Sequence, residues 1–450
     1  MADKVLIIGG TAAGLSAASK AKRLNPALDI LVLEKSGYIS YGSCGLPYFV
    51  GGMSEDPDDL VSLHVQEMKE KRGIPVLIHH EATKLDSVNK KVTVKNLDDG
   101  TEAVYDYDKL VLATGASPIK PAIDGIDAKG VYYLRNVEDG IMLKGAIVPG
   151  STATIVGGGF IGLEVAEELS QAGVKVHVFE AMPRLLPFLP ESFSEIVLKT
   201  LTDNGVEVHL EQKVEAIEQV NGKVSGLKAS GCSVSCDMVL MSIGVVPNNE
   251  LAKQAGLKLG IKGAISVDKK MQTSDSSIWA CGDCAETHNS LTGKPCYIPL
   301  GTTANKMGRV AGGNIGGEDN EFHGVLGSMV TKVFDCYIAA TGLNLAQAKD
   351  AGYEAAESEI TMRDKASYYP TQKPMRLNFV LDTKTGRLLG AQAVGSESAA
   401  IRIDTLVAAV DAGMTVSQVN DLDLIYAPPV APVYDPILIA ASPAMKKVKN

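Results

Sequence analysis

The feature that most constrains this chain is a strand–turn–helix–strand pattern that occurs twice. In the first copy, Lys4-Val-Leu-Ile-Ile8 is a continuous apolar run and Gly9-Gly-Thr-Ala-Ala-Gly14 is a turn. Leu15–Leu24 follows, rich in Ala and Leu, and Asp29-Ile-Leu-Val-Leu-Glu34 is a second apolar run that ends in an acid. In the second copy, Ala153–Val156 leads into Gly157-Gly-Gly-Phe-Ile-Gly162, then Leu163–Gln171, then Val174–Glu180, again closed by an acid. Apolar runs without alternation are the signature of strands buried on both faces of a parallel sheet. A repeat at this spacing is a duplicated βαβ unit, not a solenoid period.

Around these units, a helix is predicted near Leu63–Arg72, alternating strands near Lys84–Val104, and buried strands at Lys109–Gly115 and Met238–Gly244. From His323 the texture changes. Ser328–Ala340 and Arg376–Val394 read as antiparallel strands, and Ser398–Ala412 and Val416–Leu422 as helices. The tail Tyr426–Tyr434 is expected to be extended, because its prolines block a helix. The fold class that follows is α/β, with two Rossmann-like nucleotide-binding domains plus an α+β C-terminal domain.

Glycine makes up 45 of the 450 residues, above the usual 7% or so, and the excess clusters in the turns. A tight glycine turn lets backbone N–H groups approach a pyrophosphate at a helix N-terminus. An acid some 20 residues on accepts hydrogen bonds from ribose hydroxyls. In the first unit these roles fall to Gly9, Gly10, Ala12, Ala13, Gly14 and Glu34, with Lys35 and Ser40 just beyond; Thr11 stands where the fingerprint has its middle glycine. In the second unit they fall to Gly157, Gly159, Phe160, Ile161, Gly162 and Glu180, and the fingerprint is complete. An acid at Glu180 repels a 2′-phosphate, so NADH is expected there over NADPH. Two such sites imply FAD in one and NADH in the other, with hydride passing between them.

Further motifs are Ala113-Thr114-Gly115, Ile243-Gly244-x-x-Pro247-Asn248, Ala280-Cys-Gly282-Asp283, Tyr426-Ala-Pro-Pro429 and Ser40-Tyr-Gly-Ser-Cys44. With them the chain resembles, over its whole length, the pyridine nucleotide–disulfide oxidoreductase family, in its single-cysteine branch. The resemblance implies a glutathione-reductase-like arrangement. An FAD domain spans 1–112 and 247–322, an NADH domain spans 113–246, and a dimerisation domain spans 323–450. It places Asp283 on the flavin's ribityl chain. Five positions from Cys44 stand Phe49 and Ile39, so no local redox disulfide forms. A lone cysteine beside a flavin must cycle through a mixed disulfide or a sulfenic acid, and a helix N-terminus or nearby donors are expected to lower its pKa.

The S-Y/F-x-x-C pattern resembles coenzyme A-disulfide reductases and persulfide reductases, which implies coenzyme A as substrate or as a mixed disulfide on Cys44. The acceptor is then a small-molecule disulfide or a persulfide, or O2 if the chain is an NADH oxidase. A flavoprotein electron-transfer subunit is the more distant alternative. Ala12 replaces a histidine that peroxide-reducing relatives carry in the first turn. Tyr426, with Tyr368 or Tyr369, matches a tyrosine pair that such reductases supply across a homodimer, completing the active site in trans. These tyrosines either assist the leaving thiolate or pack the interface. Phe160 is either an aromatic gate over the flavin or a packing residue, and Glu164 is either close to the nicotinamide or an exposed helix acid.

The formal net charge is −10 and no Lys/Arg block occurs, which excludes a nucleic-acid binder. No run is long enough to span a membrane. Val5–Ala18 is interrupted by three glycines and followed by a second strand-like run, so it reads as part of the fold and not as a leader. Seven cysteines are too few for a disulfide scaffold, and a reducing, cytoplasmic setting is expected. No metal is expected. Cys281-Gly-Asp-Cys284 coincides with the flavin motif, Cys232-x3-Cys236 sits in a hairpin and is taken as incidental, the seven histidines are taken as scattered, and His79-His80 as a solvated loop.

Overall fold

The computed structural model describes residues 3–449. Both expected units form. Strands Lys4–Ile8 and Asp29–Leu33 pair in parallel around the helix Ala12–Leu24. Strands Thr152–Val156 and Lys175–Phe179 pair in the same way around the helix Phe160–Gln171. Four consecutive residues of each leading strand are buried, as a sheet covered on both faces requires.

Each unit sits within a five-stranded parallel sheet. The first runs, edge to edge, Ile278–Ala280, Lys109–Leu112, Lys4–Ile8, Asp29–Leu33 and Val76–Leu77. Its strand Ile278–Ala280 therefore returns after the second sheet is complete. The second runs Glu207–His209, Lys175–Phe179, Thr152–Val156, Met238–Met241 and Val131–Tyr132. A third sheet is antiparallel: Met329–Val333, Cys336–Gly342, Leu388–Gly395, Pro374–Asp382 and Ala355–Arg363. The helices Glu397–Asp411 and Pro436–Met445 close its core.

Several elements escape the sequence pattern: the helices Glu191–Asp203, Gly301–Ile315 and Pro436–Met445, and the strand Ala355–Arg363. The helix Gly301–Ile315 shows why. Glycines lower helix propensity by about 1 kcal/mol each, yet here they are what the packing requires. A Cβ at Gly308 would lie 2.2 Å from the Ala13 carbonyl oxygen, and one at Gly312 2.2 Å from that of Ala17. The helix thus rests backbone to backbone on Ala12–Leu24. Two expectations about histidine are also corrected. His80 opens the strand His80–Asp86, its ring held by the Ile78 carbonyl at 2.6 Å, so it is not in a solvated loop, whereas His79 lies in the bend before that strand with its ring against Asp98. His177 and His209 are neighbours, brought together by the pairing of their strands. No helix among the described residues is long and apolar enough to cross a membrane.

Gly312→Ala forces a methyl group against the Ala17 carbonyl and is expected to lower stability by about 1–3 kcal/mol. Gly301→Ala, on the same helix with open space at its Cβ, is expected to be neutral or slightly stabilising. Urea unfolding midpoints of the two variants check this.

Candidate functional site

The two turns are built on one plan. Gly9 and Gly157 adopt φ of +117° and +112°, a region that disfavours a side chain. A Cβ at Gly14 would lie 1.9 Å from the Gly9 carbonyl oxygen, and one at Gly162 2.3 Å from that of Gly157. The second glycine of each turn donates its amide to the acid that ends the next strand: Gly10 to Glu34 Oε2 at 2.6 Å, Gly158 to Glu180 Oε2 at 2.8 Å. The other oxygens accept from Ser36 and Met182, at 2.8 Å in each case. Gly159 has nothing within 4 Å of its Cβ position, so Thr11 fits at the matching place in the first turn.

Both helices begin without a side-chain cap and without an acid in the first turn. Their leading amides and dipoles are therefore unopposed, which suits an anionic pyrophosphate in front of each. This donor set fits two dinucleotides. Ala12 and Ala13 lie in the first helix, and Phe160 and Ile161 open the second. Phe160 is half-buried and edge-on to Phe188, with ring centroids 5.6 Å apart. Lys35 is exposed.

The remaining motifs cross-link around the first turn. Thr114 Oγ1 donates to the Asn248 carbonyl at 2.7 Å, and Asn248 Nδ2 donates to the Thr114 carbonyl at 2.7 Å. Thus Ala113–Gly115 and Gly244–Asn248 are tied together. Gly282 packs on Ala13, where a Cβ would come within 2.8 Å of the alanine's own. Asp283 Oδ2 pairs with Arg135 at 2.7 Å. Arg135 also donates to the Ala116 carbonyl at 2.9 Å. The sequence pattern missed this arginine, and its position just before the Asn136 helix cap carries no motif of its own.

Cys44 is exposed and sits in the short turn Ser43–Gly45, which leads directly into the helix Leu46–Val50. Leu46, Phe49 and Val50 are buried in the core of the second sheet, among them Val137 and Leu163. The cysteine therefore stands where the two nucleotide units meet. Ser40 is held at φ +50° between the Gly10 carbonyl and the Ser62 amide. Such strain persists only where the surroundings fix it, commonly at functional sites.

Contrary to expectation, the Cys44 pKa is raised. Although the residue reaches the surface, desolvation of its sulfur by the surrounding protein contributes most and the Glu164 carboxylate next, with Asp283 adding a little. The Ser43 hydroxyl and the Arg135 guanidinium oppose the shift without overcoming it. Glu164 is half-buried, and Thr331 Oγ1 donates to its Oε1 at 2.7 Å. Its own pKa is raised, chiefly by burial.

Beside the first turn lies a cavity of about 240 Å³, lined by Thr11, Ser40, Arg23, Arg72, Asn305 and Arg309. Three guanidinium groups around one cleft favour a polyanionic ligand. The sequence pattern missed them because they come from three distant segments. Tyr368 and Tyr426 lie with hydroxyls 3.5 Å apart, both exposed, whereas Tyr369 is half-buried under Lys365. Of the two candidates, Tyr368 is thus the one that meets Tyr426.

Replacing Glu164 by Gln removes a negative charge that disfavours the thiolate. The Cys44 pKa is then expected to fall, so that iodoacetamide alkylates it at lower pH than in the parent. The rate of alkylation against pH checks the sign.

Residues 3–308 match the family described as pyridine nucleotide-disulphide oxidoreductase, and residues 329–435 match its dimerisation domain. The chain is similar to the NAD(P)H coenzyme A polysulfide/persulfide reductase of Pyrococcus horikoshii, with 38% identity over 98% of both chains. It is also similar to an NADH oxidase of Methanocaldococcus jannaschii, with 38% identity over 99% of this chain and 100% of the other. Among solved structures, the NAD-dependent persulfide reductase from A. fulgidus superposes with a TM-score of 0.94 at 41% identity, covering 99% of this chain and 83% of that one. This chain belongs to the pyridine nucleotide-disulphide oxidoreductase family.

Proposed function

We propose that the chain uses NADH, with FAD as cofactor, to reduce coenzyme A disulfide or a coenzyme A persulfide at Cys44. The observation that carries this reading is an arginine-lined cleft that includes Ser40, in the same short segment as the exposed Cys44. Coenzyme A carries a pyrophosphate and a 3′-phosphate on a long thiol arm. Arg23, Arg72 and Arg309 suit those phosphates, and Ser40, four residues before Cys44, lines the same cleft. The names of the similar reductases support the same substrate class.

In this reading the first turn, with Glu34, Asp283 and Arg135, holds FAD within a domain of residues 1–112 and 247–322. The second turn holds NADH within residues 113–246, and Glu180 disfavours a 2′-phosphate there. The chemistry that FAD supplies when bound is two-electron transfer between a nicotinamide and sulfur.

The Cys44 thiolate attacks one sulfur of the disulfide, forms a mixed disulfide, and expels the other half as a thiolate. Two electrons and a proton then cleave the mixed disulfide, freeing the second thiol and restoring the Cys44 thiolate. Tyr368 and Tyr426, paired on the C-terminal domain of residues 323–450, donate a hydrogen bond to the departing thiolate from the partner subunit of a homodimer. Their exposure in the single chain supports a role across the interface.

Two experiments test this. Cys44→Ser is expected to retain FAD and to lose NADH-dependent coenzyme A disulfide reduction by about a thousandfold or more. Intact mass spectrometry of the parent should also reveal a coenzyme A adduct that reductant removes and the variant lacks; full turnover without Cys44 would refute the proposal.

Arg309→Ala is expected to raise KM for coenzyme A disulfide about tenfold or more, since hydrogen bonds to charged groups contribute about 1.5–3 kcal/mol. Oxygen consumption with NADH should not change in that variant. An NADH oxidase cycling Cys44 through sulfenic acid, the second reading that the named oxidase relative supports, predicts brisk oxygen consumption without added thiol and no effect on either activity.

A further inference from the structure

We propose that His177, His209 and Glu207 form a binding site for a divalent cation of the zinc class at the edge of the second parallel sheet. The site uses none of the groups in the proposed reaction. Strands Lys175–Phe179 and Glu207–His209 pair in parallel, which sets His177 opposite Glu207 and Phe179 opposite His209. Strand alternation puts His177 and Phe179 on one face. The His209 ring stacks on Phe179 at 4.3 Å between centroids and lies 5.4 Å from the His177 ring, 24° from parallel.

This packing converges three donor atoms. His177 Nδ1 is 3.2 Å from His209 Nε2 and 3.4 Å from Glu207 Oε2, and all three lie within 4.8 Å of one another. A tetrahedral ion with bonds of about 2.0–2.1 Å separates its ligands by about 3.4 Å. Two imidazoles and one carboxylate are a donor set of open zinc sites, in which water takes the fourth position.

The side chains are suited to the role. His177 is 5% exposed, so packing fixes its ring, while Glu207 is exposed and leaves a path for entry. Lys175 competes for Glu207, but it pairs with Oε1 at 3.0 Å and leaves Oε2 turned to His177. The position also has consequences. The His209 carbonyl accepts the Glu180 amide at 2.9 Å, so an ion at this edge braces the strand that supports the second nucleotide turn.

The test uses the full FAD-loaded chain carrying Cys44→Ser, which removes the exposed thiol as a competing ligand. Equilibrium dialysis against Zn2+ is expected to give one ion per chain. Binding should weaken at least about tenfold after Glu207→Gln and disappear after His209→Gln. Cobalt(II) in place of zinc should give visible d–d bands without a thiolate charge-transfer band. Absence of binding in the parent, unchanged binding after Glu207→Gln, or a cobalt spectrum dominated by thiolate charge transfer would overturn the assignment. Glu207 is exposed, so its variant decides the matter even if the His209 variant fails to fold.

Discussion

A carboxylate that reaches back from the end of one strand to the amide of a glycine in the preceding turn is the contact on which both halves of this molecule depend. Glu34 holds Gly10, and Glu180 holds Gly158. The contact demands a residue without a side chain, because a Cβ at Gly10 would lie 2.9 Å from that of Glu34. It also fixes the orientation of the acid: Glu34 Oε1 accepts both the amide and the hydroxyl of Ser36, while Glu34 Oε2 and both Glu180 oxygens keep a further lone pair for another donor. One arrangement thereby shapes the turn, aims the helix N-terminus and orients the acid.

The repeated units were legible because their signals are local. Continuous apolar runs, a glycine turn and a terminal acid all fall within some thirty residues. The same holds for the Ser40–Cys44 motif, which lies within five residues. What could not be read depends on chain segments far apart. The helix Gly301–Ile315 looks like a loop until its glycines meet Ala13 and Ala17. Arg23, Arg72 and Arg309 become one cleft only when three segments converge. His177 and His209 meet through a parallel pairing that no short window contains. Cys44 has a pKa shift whose direction depends on the same kind of distant contact. Its local position before a helix favours a thiolate, but burial and a carboxylate from the second unit prevail.

That carboxylate links the cysteine to the rest of the chain. Glu164 lies on the helix Phe160–Gln171, whose N-terminus is the second nucleotide turn, and Thr331 of the third sheet donates to it at 2.7 Å. One turn along, Glu167 is 2% exposed and would be costly to bury unpaired. It is neutralised by Lys332 and accepts the Phe334 amide at 2.7 Å. Two adjacent residues of one C-terminal strand thus grip two acids of one nucleotide-binding helix.

The helix that follows Cys44 packs on the same element through Leu46, Phe49 and Val50. The cysteine, the second turn and the C-terminal sheet are therefore fastened to a single rigid helix. The proposed reaction, which brings a nicotinamide and a sulfur into register, is served by such a common support, because errors of about 1 Å between reacting groups are enough to cost catalysis. The two acids serve that alignment, and Glu164, beside the sulfur, adds to the desolvation that chiefly raises the thiol pKa.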